Sequence, residues 1–351
     1  MNGPARLALC WPLAEWPDAD RWAWVAATTP IALLSYRRRF GTKLGSESVR
    51  KIAKGYGRWL SFLHKRYESA LTETMADRVT VPRLRAYFRA LQQAGNAPGT
   101  VAGRFYELQA ALRLIAPDFD GSVIRHLDGA TMRQRLDLTP RPVFVPSIEV
   151  LMDWGFELMQ RGGRQASPEL RDIDYRDGLL VTMLAARGRR RRSMSAIRVG
   201  HELTLQGDFY VVALSADQVK TAKPDTFHLP RELTPYIHHY LQETRPALLG
   251  TRADHCALWM TGRGTPMKPN YLTNRMLIIT RKRFGLAFGP HRFRHAISTA
   301  LAYHAPKATG LAAAVLAISP NVVACHYDRA NQVSARRMFS SVVARRKART
   351  D

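Results

Sequence analysis

Three prolines in ten residues, Pro140, Pro142 and Pro146 of the stretch LTPRPVFVPS, constrain this chain more than any other feature. A proline has no backbone N–H and disfavours helix at the residue before it, so neither a helix nor a central strand can run through the stretch. The rest of the sequence must therefore be organised on either side of it. At 351 residues the chain is long enough for two cores. The reading is an N-terminal extension over 1–40, a helical domain over 41–139, a linker over 140–146, and a second domain with a C-terminal tail over 147–351.

Before the prolines the hydrophobic period is helical. Residues 1–40 hold Trp11, Trp16, Trp22 and Trp24 and end in Arg37-Arg38-Arg39-Phe40, and no fold can be assigned to them from pattern. Val49, Ile52, Tyr56, Trp59 and Leu63 then share one helical face, with Ser46 as its N-cap. Thr80-Val81-Pro82 opens a second helix carrying Leu84, Tyr87, Phe88 and Leu91. After the breaker Gly95-Asn96-Ala97-Pro98-Gly99, Thr100 caps a third, lined by Val101, Phe105, Leu108, Leu112 and Ile115. With no strand pattern among them, these residues predict a small helical bundle.

After the prolines, Val150, Leu151, Trp154 and Leu158, and then Leu179, Leu180, Met183 and Leu184, continue the helical period. The period changes at Phe209-Tyr210-Val211-Val212-Ala213-Leu214, rich in strand formers, with Thr226-Phe227-His228-Leu229 as a short partner. Helical patterns return from Glu232. The predicted fold is mainly α: a helical bundle followed by a mostly helical domain with a small antiparallel β-sheet.

Charge narrows the function classes. Hydrophobic residues at 46% argue against disorder, yet the formal net charge is +25. So basic a chain meets a polyanion, with nucleic acid ahead of an anionic membrane surface. No apolar run approaches the ~20 residues that span a bilayer, and MNGPARLALCWPLAEW lacks the apolar core of a signal peptide. Cys10, Cys256 and Cys325 are far apart and odd in number, which fits reduced thiols in a cytoplasm better than disulfides or a zinc site.

Four places carry possible chemistry. The stretch GPHRFRHA, residues 289–296, puts His291 and Arg294 three apart at a helix start, behind Pro290 and ahead of an apolar stripe of Phe293, Ile297, Ala300 and Leu301. An imidazole and a guanidinium would point together at an anion. Arg187-Gly188-Arg189-Arg190-Arg191-Arg192-Ser193-Met194 is a basic run; Arg189, Arg191 and Arg192 read as a solvated grip on phosphates. Helical register singles out Arg190, four before Met194 and seven before Ile197, as the arginine drawn toward the core, where its charge needs an anion. Between the two strand candidates, Gln218-Val219-Lys220-Thr221-Ala222-Lys223 offers Lys220 and Lys223 in one turn. The fourth place is Tyr327, in Ala324-Cys325-His326-Tyr327-Asp328-Arg329, with Tyr303 as a second tyrosine nearby.

An arginine after a helix pair, a lysine in a β-turn, His-x-x-Arg opening a helix and a tyrosine 33 residues beyond that arginine form an ordered set. The set resembles the tyrosine recombinase (phage integrase) family. By motif the resemblance runs from about 147 to 340, and more loosely over 46–120, which look like that family's core-binding domain. It implies the DNA breaking–rejoining fold, with 41–139 as a DNA-binding domain and 147–351 as the catalytic domain.

Arg190, Lys220, His291, Arg294 and Tyr327 match five of the family's six active-site positions. The resemblance implies that Tyr327 attacks the scissile phosphate and forms a 3′-phosphotyrosyl bond. Arg190 and Arg294 stabilise the pentacoordinate state, Lys220 protonates the departing 5′-oxygen, and His291 assists as donor or base. Two positions depart from the family pattern. Ser193 stands where Glu or Asp is frequent, and Ile318 stands nine residues before the tyrosine, where His or Trp is usual. Isoleucine donates no hydrogen bond, so either the site tolerates the loss, or His326 or another group substitutes, or the enzyme is slow and works beside a partner recombinase.

No cofactor and no metal is implied. The partners implied are double-stranded DNA and, on it, a homo- or hetero-tetramer; the tail patch Met338, Phe339, Val342 and Val343 either packs on its own domain or, as the resemblance implies, docks on a neighbour. The place implied is the cytoplasm, at the nucleoid, without membrane attachment. The alternatives are a catalytically weak or silent accessory DNA-binding protein of the same fold and a type IB topoisomerase.

Overall fold

A computed structural model describes residues 10–29, 44–139, 145–162, 167–219, 223–304 and 316. The chain divides into two compact units, Met1–Pro142 and Val143–Asp351.

The first unit is a bundle of α1 (Asp18–Thr28), α2 (Ser46–Arg66), α3 (Val81–Gln93) and α4 (Pro98–Ile115), closed by the short turns α5 (Ser122–Arg125) and α6 (Met132–Arg135). The apolar faces read from the sequence are the buried ones: Tyr56, Trp59 and Leu63 on α2, Leu84 and Tyr87 on α3, and Val101, Phe105, Leu108, Leu112 and Ile115 on α4. Thr80 caps α3 by accepting from the Arg83 amide, with Pro82 in the first turn. The expected cap of α4 is displaced: Pro98 takes the first helical position, Ala97 precedes it, and Thr100 lies inside the helix. A proline at that position loses no hydrogen bond and arrives with helical φ, so it starts the helix three residues before a Thr100 cap would.

Pattern alone left the tryptophan-rich start without a fold, and here α1 is a full member of the bundle. Trp16 and Trp24 pack edge to face at 5.5 Å within the core, and Trp16 meets Tyr56 at 4.9 Å. Asp20, wholly buried, accepts from the Tyr56 hydroxyl at 2.8 Å and pairs with Arg78. Arg78 also donates to the carbonyls of Ala70, at 3.0 Å, and Leu71, at 2.7 Å. Such a pair fixes which helix docks and where more than it adds net stability.

The second unit begins with α7 (Ile148–Gly162) and α8 (Pro168–Arg187), packed along their length. Gly155 and Gly178 permit the approach: a Cβ on Gly155 would lie 2.5 Å from Thr182 Cγ2, and one on Gly178 2.5 Å from the Gly155 carbonyl. The one-turn α9 (Arg191–Ser195) leads to β1 (Leu203–Gln206), β2 (Phe209–Leu214) and β3 (Asp225–His228), an antiparallel sheet in sequence order. The hairpin of β2 and β3 is the one expected, while four-residue β1 is too short to show a period. Leu203, Tyr210, Val212, Leu214 and Phe227 bury its inner face. Next come α10 (Thr234–His239), a π-helical turn (Tyr240–Thr244), α11 (Arg245–Leu249), α12 (Pro269–Phe284) and α13 (His291–His304). No described helix is long and apolar enough to cross a membrane.

Candidate active site

The site forms where α8 ends. Gly188 stops the helix in the left-handed region at φ 50°, its amide still bonded to the Leu184 carbonyl at 2.8 Å. A Cβ there would lie 2.7 Å from Ile297 Cδ1 and 2.8 Å from Leu316 Cδ2, so glycine is needed for both conformation and space. The chain beyond is extended at Arg190 (φ −69°, ψ 149°), and α9 starts only at Arg191. The helical register that drew Arg190 onto the face of Met194 and Ile197 therefore does not reach it. Met194 and Ile197 are buried as expected, and Arg190 is half-buried through the extended backbone instead.

Arg294 reaches this bend from the first turn of α13 and is only 5% exposed. One end of its guanidinium donates to the Gly188 carbonyl, and Nη2 donates to the Leu316 carbonyl at 2.8 Å. Burial, and then the like charges of Arg190 and Arg189, bring its pKa down to about 10, partly offset by Asp225. Arg189, Arg190 and Arg294 are thus close enough to feel one another in a place poorly screened by water.

Arg189 is a correction to the expected solvated grip on phosphate. It is buried, with Nε 2.7 Å from Asp225 Oδ2 and Nη2 donating to Oδ1 at 2.9 Å, and its guanidinium lies 4.3 Å over the Phe227 ring. Among the described residues, neither Arg190 nor Arg294 has a carboxylate at ion-pair distance. Arg191 and Arg192 are exposed, as expected; Arg191 Nη1 donates to Asn270 Oδ1 at 3.1 Å and Thr273 Oγ1 at 3.3 Å. Lys223 is exposed, two residues before Asp225.

His291 is exposed at the start of α13, its ring 4.8 Å from that of His295. Lys220, Ile318, His326, Tyr327 and the tail patch from Met338 to Val343 lie outside the described residues. Val219, next to Lys220, is buried, and Gln218 is held twice: its carbonyl accepts from Ser193 Oγ at 3.1 Å, and its side chain donates to Glu202 at 2.9 Å. Glu202 itself is held as a carboxylate at a pKa of about 2, chiefly by Arg198. Ser193, where the family frequently has an acid, thus ties α9 to the start of the turn between β2 and β3. Tyr303, nine residues beyond Arg294, stands about 13.5 Å along the helix and half a turn round it, 59% exposed.

The phage integrase family profile matches residues 165–311, the stretch from the start of α8 to just past α13. Residues 165–311 of the second unit form a phage integrase family domain. Among solved structures, the chain is similar to XerH site-specific recombinase bound to palindromic difH substrate in a post-cleavage complex, at TM-score 0.59 and 14% identity, over 91% of this chain and 94% of that one. It is also similar to the Tn1549 transposon integrase in complex with transposon right-end DNA, at TM-score 0.52 and 13% identity, over 91% of this chain and 98% of that one. At such identities the likeness is one of fold: mostly helical, with the small antiparallel sheet. No curated protein matches the chain by sequence.

Two residues of the integrase unit's site escaped the sequence reading. Gly188 had a signal, a glycine directly after a helical run. Asp225 had none, because its partner Arg189 is 36 residues away in a run of arginines without internal pattern.

Proposed function

We propose that the protein is a site-specific DNA recombinase that cuts and rejoins double-stranded DNA through a 3′-phosphotyrosyl intermediate, with Arg190 and Arg294 as the cations that receive the scissile phosphate. The observation that carries this reading is the bend at Gly188, where a buried arginine held by backbone carbonyls lies in the field of a second arginine and no described carboxylate pairs with either. A non-bridging phosphoryl oxygen is the complement of such a place, and planar forks suit it. Among the described residues, two of the five N–H groups of Arg294 are committed to carbonyls, which leaves donors for a phosphate in this reading.

In this reading the Tyr327 oxygen bonds to phosphorus as the bond to the 5′-oxygen breaks. The tyrosine proton passes toward His291, and Lys220 supplies a proton to the leaving oxygen. The phosphotyrosyl bond conserves the energy of the phosphodiester, so a second 5′-hydroxyl reverses the step with a new strand. Exposed Arg191, Arg192 and Lys223 serve the flanking backbone, the first unit serves as a second DNA-binding domain, and the working form is a tetramer on DNA at the nucleoid in the cytoplasm.

A silent DNA-binding protein of the same fold is the second reading, favoured by the engagement of Arg294 with two carbonyls. Incubating the full chain with duplexes from the inverted repeats beside its coding region, followed by a denaturing gel, separates the two. A covalent adduct is expected from the wild type and none from Tyr327→Phe, which should still bind the duplex. An adduct persisting in Tyr327→Phe would remove the nucleophile assignment, and no adduct from the wild type would leave the silent binder.

A further inference from the structure

Three arginines crowd one bend, and among the described residues one of them, Arg189, is paired with a carboxylate. Arg189 has its Nε and Nη2 edge on Asp225, its Nη1 donating to the Arg187 carbonyl at 3.2 Å, and its face on Phe227. Arg187 adds a second tie to the same strand, Nε donating to the His228 carbonyl at 2.6 Å. The backbone that presents Arg190 is therefore fastened to β3 on its N-terminal side. Asp225 acts on charge as well as position: among the described residues it is the carboxylate that offsets the repulsion Arg294 feels from its neighbours.

We propose that Asp225, acting through Arg189, is a positioning residue that sets the charge of the phosphate site: it cancels one of three clustered guanidiniums and leaves Arg190 and Arg294 as the two offered to a phosphoryl group. The proposal rests on the reading of those two arginines as phosphate ligands. Without Asp225 the buried Arg189 guanidinium loses the carboxylate that pairs with it and competes for the phosphoryl oxygens in the wrong geometry. Without Arg189, the Asp225 carboxylate is left facing the site and repels the same anion.

The two substitutions therefore have opposite signs, which a purely structural role would not produce. Asp225→Asn, Arg189→Met, their double variant and Asp208→Asn are compared by the rise in unfolding midpoint on adding inorganic phosphate to the full chain. Asp208→Asn is the control, since it removes a carboxylate from an exposed pair with Arg231 and changes net charge equally. The rise reports anion binding to the native state. It should be about two-fold larger in Asp225→Asn than in the wild type, smaller in Arg189→Met, and near the wild-type value in the double variant and the control.

Equal responses in Asp225→Asn and Asp208→Asn would overturn the proposal, because the effect would then be general surface charge. If Asp225→Asn does not fold, Arg189→Met decides: a response equal to or above the wild type's overturns it. On a cleavable duplex, Asp225→Asn should slow adduct formation at least about ten-fold with undiminished DNA affinity, and the double variant should regain part of the rate. A wild type that forms no adduct would sink the recombinase reading while leaving the phosphate comparison intact, since free phosphate reports the charge of the site alone.

Discussion

Arg176 and Arg275 meet at Asp177 in the core of the second unit, whereas Arg189, Arg190 and Arg294 gather at the Gly188 bend, where Asp225 pairs with Arg189. At Asp177 each carboxylate oxygen serves one fork: Oδ1 accepts from Arg176 Nε at 3.1 Å and Nη2 at 2.7 Å, and Oδ2 lies 2.7 Å from Arg275 Nε and 2.6 Å from Nη2. Arg176 Nη1 is taken by the Met260 carbonyl at 2.8 Å. Both arginines there are paired with the carboxylate, and the cluster ties α8 to α12. At the bend, among the described residues, Arg189 alone has such a pairing, and in the proposed reading the charge of the other two is offered to a phosphate. A buried arginine is thus no sign of function by itself; the ratio of carboxylates to guanidiniums separates the two clusters.

The comparison can be broken first at the core cluster, where the effect on stability is largest. Asp177→Asn keeps the shape and leaves two guanidiniums without an anion, one of them only 1% exposed. Removing one partner of a buried pair costs about 3–5 kcal/mol, so urea denaturation should show a loss of that order. If it loses less than about 1 kcal/mol, the core cluster is not held by its carboxylate and the contrast with the bend fails.

Arg190→Ala is expected to do the reverse. With no ion pair to a described residue, its removal should change stability by no more than about 0.5 kcal/mol. Adduct formation should fall by about 10²–10³-fold, the usual effect of deleting one group that stabilises a developing oxyanion. Single-turnover cleavage read beside a denaturation curve checks both halves. A variant that loses stability and keeps its rate would place Arg190 with Arg176 as a structural cation.

Legibility in the sequence followed the range of the interactions. The stripes on α2, α3 and α4 could be read because burial repeats with the helix and needs no distant partner. The β2–β3 hairpin could be read from its run of strand formers. Helix α1 could not, because Trp16 and Trp24 acquire meaning only against Tyr56 and its neighbours in α2. At the bend, the motif points to Arg190 and Arg294 and the fold brings them together, but helical register does not account for Arg190. Helical register assigned the buried place in the arginine run to Arg190, but a left-handed glycine interrupts the helix, and the deepest place goes to Arg189. Which of four successive arginines is buried depends on where the backbone breaks and on an aspartate on another strand, and neither follows from spacing.

The smallest effect belongs to the outer half of the same run and sharpens the comparison at its edge. Arg192 is exposed, one residue beyond Arg191, whose guanidinium is steadied by Asn270 and Thr273. Neither has a buried partner to lose, so stability should stay within about 0.5 kcal/mol in Arg192→Ala. Its contribution is to counterion release: each phosphate contact adds about one to the slope of log K against log[salt], uniformly across sequences. Arg192→Ala should therefore lower that slope by about one and weaken binding a few-fold at low salt, with no change in which duplex is preferred. Titrations at several salt concentrations on a preferred and an unrelated duplex measure both. A loss of preference without a change in slope would mean that Arg192 reads bases, and would move the edge of the site outward from Arg190 along α9. An unchanged slope with unchanged preference would mean that the exposed half of the run stands clear of DNA, leaving the contact to the residues gathered at the Gly188 bend.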